Sequence, residues 1–360
     1  MPGILSAAGR VPEQVVRVSI LSSDKILLSS RGSFSLSDAS GGNRTVFEAG
    51  WVEVLASGSG LSVEGKEFSG HVRFSPGSEP LAVNGRRYRG TVSVINDGVS
   101  LLAVNETEVE GYLKGVLPVE VSPSWPLEAL KAQAVVSRTY VINNLGRYSD
   151  RGYDVSSDVF SQVYRGMDVE DPASNRAVKE TAGIVLGSGG EVIRAYFHSC
   201  CGGYTENISS VWGSSQDHMG GVDCHYCDES PRYNWERSLT PAYLERRLEE
   251  AGAPAGAVEG IELLSRTSSG RVGDMRIAGS EGDIELTGHR FRMIIGPDVL
   301  KSAMFALDRD RDDFHFYGRG WGHGVGMCQW GARGQALEGR GYREILEYYF
   351  PGTRLIKHRR

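Results

Sequence analysis

No stretch of the chain strings together about 18 apolar residues, so nothing in it is expected to span a membrane. A basic surplus is also missing. With 39 Lys and Arg against 45 Asp and Glu, the formal net charge is -6, which leaves no polybasic footprint and argues against a nucleic-acid partner. The N-terminus, MPGILSAAGRVPEQVVRVSIL, lacks the charged region and continuous apolar run of a secretory signal. What is abundant is glycine, 47 residues of it, which points to many turns and hairpins. Hydrophobic content of 40% and charged content of 23% are ordinary for a globular protein, and 360 residues suggest two domains.

The pattern along the chain predicts an α+β fold. Residues 1–75 hold short β segments (VVRVSIL, KILLSS, SFSLS, TVFEA, WVEVLA, HVRFS) separated by Gly, Ser, Asn and Asp, and read as a β-rich support module. Residues 76–356 form the larger, mixed part. YRGTVSVIND and SLLAVNETEV, with Asn96, Asp97 and Gly98 between them, read as a hairpin. Helices are expected over DPASNRAVKETAG, PAYLERRLEEAG, HRFRMIIG and YREILEYYF, and a hairpin over IVLGSGGEVIRAYFHS.

The chain is organised around Gly111 to Tyr140, GYLKGVLPVEVSPSWPLEALKAQAVVSRTY. Glu120 closes an apolar run (Val116, Leu117, Val119, Val121) just before a proline-punctuated turn. A long helix then opens at Pro126, carries Glu128 in its first turn, and stops near Gly146. Leu127, Leu130, Ala134, Ser137, Val141 and Leu145 share one face, which predicts packing on that side. Lys131 and Arg138 line up at its border. Glu110, before the run, reads as a cap or an ion-pair partner.

Four cysteines, the pair Cys200 and Cys201 and the CxxC pair Cys224 and Cys227, fit either a metal site or two disulfides. CxxC spacing lets two thiolates reach one ion, and Zn²⁺ accepts Cys and His in tetrahedral geometry. The expected ligands are three or four of His198, Cys200, Cys201, Cys224 and Cys227. In an oxidising compartment the same cysteines can instead bridge in pairs. A reading as a cysteine protease built on Cys328 and His323 lacks an orienting Asn or Asp.

The runs EGYLKGVLPVEV and WPLEALKAQAVVSRTY, followed in order by SQVYRG, YFHSCCGGYTE with VWG, and GRGWGHGVGMCQWGARG, resemble the stage II sporulation protein D family and the related amidase modifier. The resemblance covers roughly residues 80 to 352. It implies a lytic transglycosylase acting on peptidoglycan glycan strands stripped of stem peptides, in sporulation or wall remodelling. It also implies a location outside the cytoplasmic membrane, with a signal or anchor not in this sequence, and a wall-binding role for residues 1–75. The alternative is a non-catalytic peptidoglycan binder that enhances an N-acetylmuramoyl-L-alanine amidase. Some members carry zinc near segment 198–227, where it would be structural. A zinc amidase would need an open metal position, whereas CC…CxxC reads as closed. Cys328 and Trp330, in the glycine-rich segment 318–334, stand where the family usually has Ser and Tyr.

Glycosidic cleavage requires a proton donor, and a carboxyl group serves near neutral pH if burial raises its pKa. Glu120 is the expected general acid and base, and Lys131 and Arg138 the expected partners of lactyl carboxylates. The resemblance adds Gln133, Gln162, Tyr164, His198, Gly203, Thr205, His323 and Gln329 to the expected substrate contacts. Tyr164 also reads as a core aromatic and His198 as a structural residue.

Overall fold

The computed structural model describes residues 14–38, 41, 44–310 and 313–358. Alternation of apolar and polar residues places Val16 and Val18 in the interior and Val15 outside, and the strand Val15–Ser23 pairs antiparallel with Leu101–Glu108 along its length. These two sit inside a seven-stranded sheet in the order Val155–Ser156, Val15–Ser23, Leu101–Glu108, Thr91–Asn96, Val72–Pro76, Phe34–Asp38, Arg44–Phe47. A six-stranded sheet is centred on Lys25–Ser30 and Gly50–Ser57. Both sheets feed one apolar core, so strands from before and after residue 75 share a sheet and an interior. The fold is α+β with a β-rich N-terminal part.

Helix α1 (Val109–Glu120) follows the last long strand directly. Its buried residues Val109, Tyr112, Leu113, Val116 and Leu117 recur at helical spacing, which turns that face onto the core and carries Glu120 to the helix end. Pro118 lies in the last turn, where few further hydrogen bonds are lost. Helix α2 (Leu127–Asn143) starts one residue after Pro126. A single apolar face was expected, but every residue from Ala132 to Val141 is buried. The reason is its position between two cores: Leu130, Ala134 and Val141 belong to the core of the sheets, whereas Ala132, Val135 and Val136 belong to a second one.

Helix α3 (Pro172–Glu180) is capped by Asp171, whose side chain accepts from the Ala173 and Ser174 N–H groups. The short helix α4 (Ile208–Trp212) follows. Helices α5 (Pro241–Glu250) and α6 (Gly288–Ile295), with the strands Asn234–Leu239, Val258–Leu263, Asp274–Gly279, Ile284–Thr287, Phe305–Arg309 and Phe314–Arg319, build a third core of their own. The chain returns through the strand Met327–Cys328, which lies parallel to Phe197–His198, into α7 (Gln329–Leu337) and α8 (Tyr342–Tyr349). The glycine-rich segment thus gives way to regular structure at Met327.

Candidate functional site

Glu120 sits at the end of α1, partly buried as a residue and with its carboxyl closely surrounded by protein. Burial pushes its pKa up to about 6, against the opposing effect of two hydrogen bonds, from the Val163 N–H (3.0 Å to Oε1) and from the Gln329 side chain. Gln329, the first residue of α7, also donates a long bond to Gln133 Oε1 (3.4 Å), and Gln133 donates to Ser137 Oγ (3.1 Å). Gln162, just before Val163, accepts from Tyr112 Oη (3.2 Å) and keeps a buried Nε2 without a partner. Trp125 and Trp330 meet edge-on with centroids 5.2 Å apart, bringing the turn after Glu120 against α7. The structure therefore brings together Glu120, Gln133, Gln162 and Gln329, from four separate segments.

A row of rings leads away from this cluster. Ser161 hydrogen-bonds Tyr140, whose ring lies 6.1 Å from Tyr196, and Tyr196 lies 4.7 Å from Trp212. Trp212, 43% exposed, meets His323 at 5.0 Å, and His323 meets His198 at 5.7 Å. Val159 and Phe160, beside Ser161, are 78% and 75% exposed. His323 Nδ1 accepts from the Val325 N–H, and His198 Nδ1 bonds the Val325 carbonyl, which puts the proton of His198 on Nδ1 and leaves its buried Nε2 as a bare acceptor. Burial lowers the pKa of His198 to about 3 and that of His323 well below its usual value, so both rings are neutral.

Other expected contacts lie elsewhere. Arg138 is 0% exposed and forms a two-pronged ion pair with Glu110 (2.8 and 2.7 Å), while its remaining N–H groups reach the Val178 and Ile184 carbonyls. It is a buried strut, and its charge is spent on Glu110 rather than presented to a ligand. Lys131 is held between Glu128 (2.7 Å) and Glu180 (2.8 Å). Tyr164 is buried with its hydroxyl on Asn105 Oδ1 (2.9 Å), the core position among its two readings. Thr205 exchanges hydrogen bonds with the Val222 backbone. Gly203 lines a different cavity.

The cysteines also regroup. Cys201, Cys224, Cys227 and Cys328 are all buried, with their sulfurs within 4.8 Å of one another, and this set can hold a metal ion. Tetrahedral zinc with sulfur at 2.3 Å places its sulfurs about 3.8 Å apart, so the spacing fits. Cys328 Sγ accepts the Cys201 N–H (3.2 Å) and the Gly331 N–H (3.3 Å), and Cys224 Sγ meets Tyr349 Oη (3.2 Å), contacts that suit thiolates. Within this tightly packed set, hydrogen bonds from the other thiols, Cys200 first, lower the pKa of the Cys227 thiol, whereas burial raises that of Cys328. His198 and Cys200, expected as ligands, fall outside the set, because the former is turned to Val325 and the latter to the Cys227 carbonyl. Cys328 takes the fourth place. Its signal in the sequence was its status as a fifth cysteine in a segment where the resembled family has serine. Trp212, likewise passed over, stood within the VWG run.

A family profile described as stage II sporulation protein matches residues 97–187, the span from the central hairpin through α1, α2 and α3. A second, a domain of unknown function, matches residues 221–326. Stage II sporulation protein D of Bacillus subtilis is 30% identical over 268 residues, covering 70% of this chain and 76% of that protein. An uncharacterized protein of Brachyspira hyodysenteriae is 34% identical over 281 residues, covering 78% and 75%. The amidase enhancer of Bacillus subtilis is 29% identical over 329 residues, but this chain spans only 46% of its length. The chain belongs to the stage II sporulation protein D family.

Proposed function

We propose that this protein is a peptidoglycan lytic transglycosylase with Glu120 as its general acid and base. The observation that carries this reading is a solitary carboxyl group with its pKa raised to about 6. Among the described residues no second carboxylate is hydrogen-bonded to it or contributes to its shift. Glycosidases that use water or a covalent intermediate pair two carboxyl groups. One suffices when the substrate supplies the nucleophile. Protonated Glu120 gives its proton to the glycosidic oxygen at an N-acetylmuramic acid residue, and that bond breaks. The sugar's C6 hydroxyl then closes on C1 and returns its proton to Glu120, so a 1,6-anhydro end forms and no water is consumed.

Glycan strands without stem peptides are the proposed substrate on family grounds. Lys131 and Arg138 do not supply that preference, since both already hold carboxylates. The site of action is proposed to lie outside the cytoplasmic membrane. The four-cysteine cluster is proposed to take one structural Zn²⁺.

The second reading, a glycan binder that enhances a separate amidase, is favoured by the relative named amidase enhancer. Mass spectrometry of denuded glycan incubated with wild type and Glu120→Gln separates the two. Anhydro ends from the wild type and none from a folded, glycan-binding variant are expected. Turnover by the variant overturns the assignment of Glu120, and binding without products from either protein favours the enhancer.

A further inference from the structure

A cavity of about 830 Å³ opens where the strand Asn234–Leu239 passes the Gly202–Gly203 turn, and its lining shares no residue with the Glu120 cluster or the His323 row. Its volume falls in the range of ordinary ligand sites. Rings from Tyr204, Tyr233, Trp235 and Tyr317 contribute to the walls. Tyr317 is 50% exposed, so an aromatic surface is left uncovered. Trp235 is fixed in place: its ring lies against the backbone of Gly318, where a Cβ would come within 2.2 Å of it. The indole N–H of Trp235 is nevertheless buried and makes no hydrogen bond among the described residues.

The charges of the lining point the same way. Arg266 is braced by the Gly270 carbonyl (2.7 Å) and the Phe305 carbonyl (3.0 Å), which orient the guanidinium without neutralising it. Arg319 is exposed, and neither arginine meets a carboxylate among the described residues. Against these two cations the lining holds one carboxylate, Glu236. Ring faces suit the apolar faces of pyranose rings, and guanidiniums that meet no carboxylate suit the carboxylates of an acidic sugar.

The geometry points to a second binding site here, for an acidic saccharide. It shares the chemistry of the proposed glycan substrate and to that extent rests on that reading, but it requires no catalysis. The site would hold a stretch of strand remote from Glu120.

The test follows the Trp235 indole N–H signal by nitrogen-proton correlation, identified by its loss in Trp235→Phe, in Glu120→Gln protein so that the probe is not consumed. The probes are a peptide-free tetrasaccharide of alternating N-acetylglucosamine and N-acetylmuramic acid, and neutral chitotetraose. A saturable shift of that signal with the acidic probe is expected. Arg319→Met should weaken the acidic probe about tenfold and leave chitotetraose unchanged, whereas Tyr317→Ala should weaken both. Both substitutions lie on exposed positions and leave the fold in place. No shift of the signal with either saccharide, or equal losses for both probes in Arg319→Met, would overturn the inference. A shift produced only by an acidic decapeptide would replace the saccharide with a protein partner. A wild-type chain that forms no anhydro product while the Trp235 signal still titrates would remove the proposed activity and leave this site standing.

Discussion

Glu120 begins the proposed reaction protonated, so its pKa of about 6 sets the upper edge of activity. We expect kcat/KM to fall as pH rises through about 6. Gln329 donates to the carboxylate and thereby lowers this pKa, so Gln329→Ala should move the falling limb to higher pH as well as reduce the rate. A pH profile that keeps its limb in the variant would show that Gln329 does not tune the acid. Glu120 itself could be picked out in the sequence because an acidic residue closing an apolar run is conspicuous. Its hydrogen-bonded surroundings, which temper the rise that burial causes, come from Val163 and from Gln329, itself tied to Gln133, and no local pattern reports contacts that cross 43 or 196 positions of chain.

Helices α1, α2 and α3 meet at Arg138. Its guanidinium binds Glu110 of α1, the Val178 carbonyl of α3 and the Ile184 carbonyl beyond it. Removing one member of such a pair strands the other, so Arg138→Met should lower stability by about 3–5 kcal/mol. Urea unfolding would measure this, and the folded fraction should keep the wild-type KM for glycan. A normal midpoint with a raised KM would instead restore Arg138 to the substrate. Element positions were largely legible: the central hairpin and helices α3, α5 and α8 fall where turn residues and periodicity put them. The burial of α2 was not, because Lys131, Arg138 and Gln133 look like a polar face until their partners are known. Glu110, read from its place at a junction as a cap or an ion-pair partner, proved to be the latter.

The described residues form three apolar cores, and the cysteine cluster lies in the second of them. Cys201, Cys224 and Cys227 precede the span that builds the third core, and Cys328 follows it, so the cluster clamps both ends of that insertion. Protein purified under reducing, metal-replete conditions should carry one zinc per chain by elemental analysis. Cys328→Ser should lose most of it and lower the Tm by several degrees, since binding energy at such a site is folding energy. Unchanged metal content would place the ion elsewhere. The sequence suggested a metal here but not its ligand set, because neither the adjacency of Cys200 and Cys201 nor the resemblance says which sulfur faces inward.

The spacing of these partners also fixes an order of assembly. Gln329 lies 196 residues beyond Gln133, and Cys328 lies 127 beyond Cys201. At synthesis rates of about 5–20 residues per second, the growing chain carries α2 for on the order of 10–40 s before Gln329 exists to bond it. Cys328 and Gln329 are neighbours, so one late docking event closes the sulfur cluster and completes the hydrogen bonds of the acid. A chain cut short by translational arrest before this point has Glu120 but not the setting that tunes it.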